Sequence, residues 1–202
     1  MGTPEKTPRF HKLVPGAKLE GDWHDGKIPE NVEAGENTVL DSSFCFYHYY
    51  SKQPVGARLG SDITLWRTSF ACEWGGVIEI GDQCFIANAS LVIAEHLTIG
   101  SRCFIAGGVT IADTDFHPLD PAQRLIDSIA TSPVGDRKRR PHVDTAPVKI
   151  GDDVWIGFNA TILKGVEVGD GAVIAPGSLV LKSVPAGARV AGNPAKIVEG
   201  DA

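Results

Sequence analysis

Between Val148 and Val184 an aliphatic side chain returns at every sixth position: Ile150, Ile156, Ile162, Val168, Ile174 and Val180. No other feature of the chain restricts its fold so tightly. A six-residue period held without slippage matches neither the 3.6-residue stripe of an amphipathic helix nor the simple alternation of one long strand. Short repeats of this kind stack into solenoids. In a strand, residues two apart share a face. If Ile150 and its successors face inward, so do Val154, Ala160, Val166, Ala172 and Ser178, each two residues before the next aliphatic. Every repeat then offers one large and one small inward side chain, with Gly, Asp or Asn between them to make the turn. Three short flat strands per coil give a triangular prism whose coils pair in parallel along the axis. The expected fold class is therefore all-β, a parallel β-helix.

A second block runs from 78 to 111, with six-residue steps through Ile80, Ile86 and Val92, one seven-residue step to Ile99, then sixes to Ile105 and Ile111. The extra residue predicts a small bulge at a corner. Cys84, Ser90, Cys103 and Val109 take the small inward place, so Cys84 and Cys103 are expected as core fillers. Weaker steps at Leu59 and Leu65 predict imperfect first coils, with the aromatics Phe44, Phe46, Tyr47, Tyr49 and Tyr50 filling or capping the core. Residues 1–27, with Pro4, Pro8, Pro15 and Gly16, read as an irregular arm strapped to the body. The β-helix domain is then 28–198, followed by a tail at 199–202 beyond the turn signal Gly192-Asn193-Pro194.

The period then breaks over an inserted loop at 112–147. A long irregular excursion inside a regular domain is usually functional. His117 stands where the next aliphatic was due, six residues after Ile111. An imidazole that titrates near neutral pH suits a general base. Such a base needs an orienting acceptor on its other nitrogen. Asp115 and Asp120 bracket it, although either could instead cap the loop, and a backbone carbonyl would also serve. Arg124 is expected to hold the loop through one of these carboxylates. The run Arg137-Lys138-Arg139-Arg140 reads as a solvated loop or as a contact for an anion. Trp155 precedes the inward Ile156 and should point outward, where an indole needs cover from a ligand or a neighbouring subunit.

Bulk properties narrow the function. A formal charge of -6 argues against a nucleic-acid binder. The apolar runs fall short of a membrane span, and the N-terminus shows no secretory core. Cys45, Cys72, Cys84 and Cys103 form no CxxC pair and no zinc spacing. Reduced thiols in a cytoplasmic protein are the expectation.

The repeats IGDDVW-IGFNAT-ILKGVE-VGDGAV-IAPGSL, the ending AGNPAK and the motif DTDFHPLD resemble the hexapeptide-repeat acyltransferases, most of all the maltose/galactoside and colanic-acid-type O-acetyltransferase branch. The likeness covers about residues 78–198, and 28–77 more weakly. It implies a left-handed β-helix, a homotrimer with active sites between prisms, and His117 as the catalytic base. It also implies an acceptor contact at Asn88, which could otherwise be an ordinary corner residue, and a place for Trp155 beside the acyl and acceptor groups. Acetyl-CoA would be the co-substrate, held mainly by backbone at Gly157, Phe158, Ala175 and Pro176. Lys182 and Lys196 would lie near its phosphates or stay solvated. No metal is expected: the γ-class carbonic anhydrases share the prism, but His96, His117 and His142 do not sit on the coils a zinc site there requires.

The function so implied is acetyl-CoA-dependent O-acetylation of a sugar or polysaccharide-precursor hydroxyl, without an acyl-enzyme. N-acetylation of an amino sugar or other small amine, and a non-catalytic β-helix scaffold, are the alternatives.

Overall fold

The structure, a computed structural model, describes residues 10–198. Pro4, Pro8 and the tail at 199–202 lie outside the described residues. Three parallel ladders form the faces of a prism, each strand pairing with the equivalent strand one coil later. Ile80, Ile99, Ile150 and Val168 register in one ladder. Ile86, Ile105, Ile156, Ile174 and Val190 register in a second. Leu91, Ile111, Ile162 and Val180 form the third. All are buried, and so are the small inward residues Val154, Ala160, Val166, Ala172 and Ser178. Because the small turn residues recur in every repeat, aliphatics stack on aliphatics and one core runs the length of the axis.

Leu59 and Leu65 belong to true coils, in register with Ile80 and Ile86. The described part of the arm lies against the body: His11–Lys12 pairs antiparallel with Val39–Leu40, and Leu13 and Leu19 are buried. The aromatic cluster divides. Phe46 is buried against Phe70 with ring centroids 5.5 Å apart, whereas Phe44 and Tyr47 stack on each other at the surface. Cys84 and Cys103 are core fillers, their thiols facing the Gly100 and Gly151 carbonyls at 3.2 and 3.1 Å.

One register expectation is corrected. The inward aliphatic after Ile86 is Leu91, not Val92, and the small inward residue is Ala89, not Ser90. The run Leu91-Val92-Ile93 is apolar throughout, so counting in sixes could not find the inward member. The turn at Asn88, in the left-handed region with φ 46°, makes the step from Ile86 to Leu91 one residue shorter than the step from Ile105 to Ile111 one coil later. The longer step follows at Ala94–His96. There Asp113, fully buried, accepts hydrogen bonds from the N–H groups of Ala94, Glu95 and His96 at 2.7–2.8 Å. Burial pushes the pKa of Asp113 up, against those three N–H bonds. Asp113→Ala removes the acceptor of all three donors at a partly buried corner. It should cost about 2–3 kcal/mol, read as a lower midpoint in urea unfolding.

The excursion is not irregular throughout. It contains a helix, α1 (Pro121–Thr131), and a 3-10 turn at Arg137–Arg139. Pro121 opens α1, and the Asp120 side chain caps it by accepting from Gln123 N. The periodicity hid this helix because Leu125, Ile126 and Ile129 are exposed and only Asp127 and Ala130 are buried. The Thr114–Thr145 bridge and the bond from Ala146 N to Asp113 O bring the two ends of the excursion back to one point on the prism.

Candidate active site

His117 leaves the prism on a tight turn. Its N–H donates to Asp115 O at 2.7 Å, and Phe116 N donates to Thr114 Oγ1 at 3.1 Å. This places Phe116 at φ 69°, a region a bulky side chain seldom enters. Such strain persists only where the surroundings enforce it. Here Arg140 Nη2 holds the Phe116 carbonyl at 3.1 Å.

The imidazole is fixed from behind. His117 Nδ1 lies 2.5 Å from Oδ2 of Asp127, which α1 carries at a fully buried position. Arg140 Nε donates to the other Asp127 oxygen at 2.7 Å. Arg140 Nη1 reaches Glu73 at 2.6 Å, and Arg137 Nη2 joins the same carboxylate at 2.8 Å. The Arg137 guanidinium also lies 4.4 Å over the Tyr50 ring. A continuous ion-pair chain therefore links a coil corner, the end of the excursion, α1 and the imidazole. Burial alone would raise the Asp127 pKa, but the bonds from Arg140 and His117 outweigh it and hold the carboxyl below its usual range. With Asp127 ionised, Nδ1 is the donor and Nε2 keeps its lone pair for a substrate proton.

His117 is half-exposed on a cavity of about 710 Å³. Tyr50, Trp74, Val92, Phe116 and Val143 line it, together with Glu73, Arg137 and Arg140. The size is that of a small-molecule site.

Neither carboxylate that brackets His117 in sequence orients it. Asp120 is spent on the α1 cap, and Asp115 pairs with Lys164 at 2.6 Å. Arg124 holds the loop through the Pro118 and Leu119 carbonyls, at 3.0 and 2.8 Å, and not through a carboxylate. The basic run splits: Lys138 and Arg139 are exposed, while Arg137 and Arg140 turn inward and are consumed by carboxylates. Asn88 lines a different cavity, of about 380 Å³, with Trp23, Phe44 and Arg67.

Trp155 points outward on the second face, in register with Phe104, which stacks on Phe85 at 5.0 Å. Gly157 is buried, and a Cβ there would meet Pro176 at 2.7 Å, so packing alone demands glycine. Phe158, Pro176, Lys182 and Lys196 are exposed, and Ala175 is half-buried. None of these lines the His117 cavity.

Sequence reasoning missed Asp127, Arg140 and Glu73. Asp127 lies ten residues from His117 in a segment read as loop, and Glu73 and Arg140 are 67 apart in the chain. A usable signal was the Asp120-Pro121 helix start, which predicts that residues further along α1 can turn back to the histidine. Among the described residues, no group of three or more His, Cys, Asp or Glu side chains is placed to hold a metal ion. No helix among them is long and apolar enough to cross a membrane.

Comparison with known proteins fits this geometry. The family model described as bacterial transferase hexapeptide (six repeats) matches residues 147–182. A protein of Saccharomyces cerevisiae named as an acetyltransferase is 39% identical over 150 residues, 72% of this chain and 68% of the relative. The hexapeptide-repeat acetyltransferase of Vibrio cholerae, solved with acetyl-CoA, is 33% identical at a TM-score of 0.51, over 64% of this chain and 63% of that one. A galactoside acetyltransferase solved with coenzyme A is 26% identical at a TM-score of 0.53, over 84% of this chain and 64% of that one. The chain thus spans less than two thirds of these two solved chains. On the repeats, the three-ladder prism and the extent of the yeast match, the chain belongs to the hexapeptide-repeat family of acetyltransferases.

Proposed function

We propose that the protein transfers an acetyl group from acetyl-CoA to a sugar or polysaccharide-precursor hydroxyl, with His117 as general base. The observation that carries this is the 2.5 Å contact between His117 Nδ1 and the buried Asp127 at the mouth of a substrate-sized cavity. Nε2 takes the hydroxyl proton as the oxygen attacks the thioester carbonyl. The tetrahedral oxyanion is stabilised by a backbone N–H. Its collapse breaks the carbon–sulfur bond, and the imidazolium returns the proton to the departing thiolate. Asp127 stabilises the imidazolium between these steps. Among the described residues no Ser or Cys side chain lines the His117 cavity, which supports direct transfer. The sugar hydroxyl follows the motif resemblance and the galactoside relative.

Acetyl-CoA would lie along the second face, against the backbone of Gly157, Phe158, Ala175 and Pro176, with Lys182 and Lys196 near its phosphates. These residues and Trp155 sit apart from the His117 cavity of the same chain. A neighbouring copy would bring the two halves together, in a homotrimer of left-handed β-helices acting in the cytoplasm. Two exposed apolar surfaces support that cover: Leu125 and Ile129 on α1, and Phe104, Trp155 and Phe158 on the second face. Asn88 would then meet an acceptor across the interface.

Coenzyme A should raise the melting temperature, and galactosides with acetyl-CoA should release free thiol. Absence of both would remove this function and favour a scaffold. Thiol release with glucosamine but not with any hydroxyl acceptor would make it an N-acetyltransferase.

A further inference from the structure

A line of exposed aromatic rings runs from the smaller cavity to the mouth of the His117 cavity. Trp23 and Phe44 line the former, His48 and Tyr50 line the latter, and Tyr47 stands between them. Successive ring centroids, Trp23–Phe44, Phe44–Tyr47, Tyr47–His48 and His48–Tyr50, are 4.6–6.4 Å apart. Trp23 is 72% exposed and Tyr47 54%, so neither is spent on the core. The line is held from below. The Asp22 carboxylate accepts from Ser42 Oγ at 2.6 Å and from Ser43 N at 3.0 Å, which ties the arm that carries Trp23 to the 3-10 helix Ser43–Phe46. His24 meets Phe44 and Tyr47 edge-on at 5.4 and 5.3 Å. Rings fixed in advance lose little freedom when a ligand lies on them.

Polar groups stand at both ends of the line. Arg67 and Asp41 line the smaller cavity. At the other end the Arg137 guanidinium lies over Tyr50, and Arg137 Nε is a buried donor without a partner. An unpaired buried donor is costly, and a ligand oxygen delivered to it would relieve that cost. His48 and His142, both exposed, add ring nitrogens to the same mouth. A pyranose ring is apolar on its C–H faces and polar at its rim, which matches aromatic surface bordered by hydrogen-bonding groups. A nucleic acid would match stacked rings as well, but the chain's formal charge of -6 disfavours it.

We infer that the acceptor is an oligosaccharide and not a single sugar: its end residue offers a hydroxyl to His117, and the rings that follow pass Arg137 and lie along His48, Tyr47, Phe44 and Trp23. This rests on the acetyltransferase reading of the His117 site. The aromatic residues do not touch the reacting atoms; they determine the length of acceptor that is preferred.

The test uses three length series, each from monomer to hexamer: α-1,4-linked glucose, β-1,4-linked galactose and α-1,4-linked galacturonic acid, the last of them anionic. Isothermal titration calorimetry reads affinity without turnover, and thiol release from acetyl-CoA reads kcat/KM. In at least one series both should rise about tenfold or more from monomer to tetramer, with KM for acetyl-CoA constant. Trp23→Ala, and separately Tyr47→Ala, should bring the tetramer-to-monomer ratio down toward one. Tyr47→Phe keeps the ring and should keep the ratio. Circular dichroism melts report that the variants are folded. Flat series for all three sugars, or ratios unchanged in both alanine variants, overturn the inference. Unchanged ratios together with a loss of assembly in sedimentation would make the rings an interface between copies instead. Thiol release that ignores acceptor length leaves the transferase standing and removes the oligosaccharide. Length-dependent binding with no thiol released by any acceptor supports the aromatic line as a glycan site and removes the acetyltransferase reading.

Discussion

His117→Ala is expected to lower turnover about a thousandfold, within the range a positioned general base contributes. The affinity for coenzyme A should stay the same, because His117 is not among the residues proposed to hold it. The measurement is steady-state thiol release, with a coenzyme A thermal shift to show that the fold and the co-substrate site persist. Retention of full activity would sink the mechanism. Asp127→Asn is the informative companion. It keeps the shape behind the imidazole but removes the charge that stabilises the imidazolium and lets the amide face the ring with either end. A loss of about a hundredfold or more is expected.

Arg140→Met should damage both stability and activity. The side chain holds Asp127, Glu73 and the Phe116 carbonyl together. Methionine fills much of the same space and leaves the fully buried Asp127 with only the imidazole as a partner. Removing one member of a buried pair costs about 3 kcal/mol or more. In a chain of this size each kcal/mol lowers Tm by about 2–4 °C, so a drop of about 6–12 °C is expected by calorimetry. The pH dependence gives a sharper test. In the wild type the Asp127 pKa is depressed, so its contribution is present above the usual carboxylate range and lost as pH falls through the folded pKa. In Arg140→Met that depression is reduced. Acidification protonates the stranded carboxylate, so the stability gap between variant and wild type should narrow toward low pH. A gap that stays constant from neutral to acid pH would mean that Arg140 acts through packing alone. Activity should fall as well, since the Phe116 carbonyl and the imidazole lose a shared anchor.

The cysteines and the basic run show how far spacing carries. Cys84 and Cys103 were legible as core because inward direction follows from a fixed period. Arg137 and Arg140 were not legible, because an excursion has no period to tell inward from outward. The same limit applied to Val92. Three successive apolar residues leave the inward one undecided, and the structure turns Val92 outward to the cavity floor, with Leu91 taking the core. Asp115 and Asp120 were sensible orienters by proximity in sequence. A short-range carboxylate, however, is readily captured by nearer demands, here a helix cap and Lys164.

The sequence by itself determined the prism, its core and the place where its period breaks, because parallel stacking of short strands is enforced locally, repeat by repeat. It also singled out His117. Only the tertiary structure decided what stands behind that histidine and in front of it. Asp127, Arg140 and Glu73 meet because the excursion folds back on its own coils, and the aromatic cavity forms in the same movement. Contacts across tens of residues depend on the path of a non-repeating loop, and no local period encodes that path.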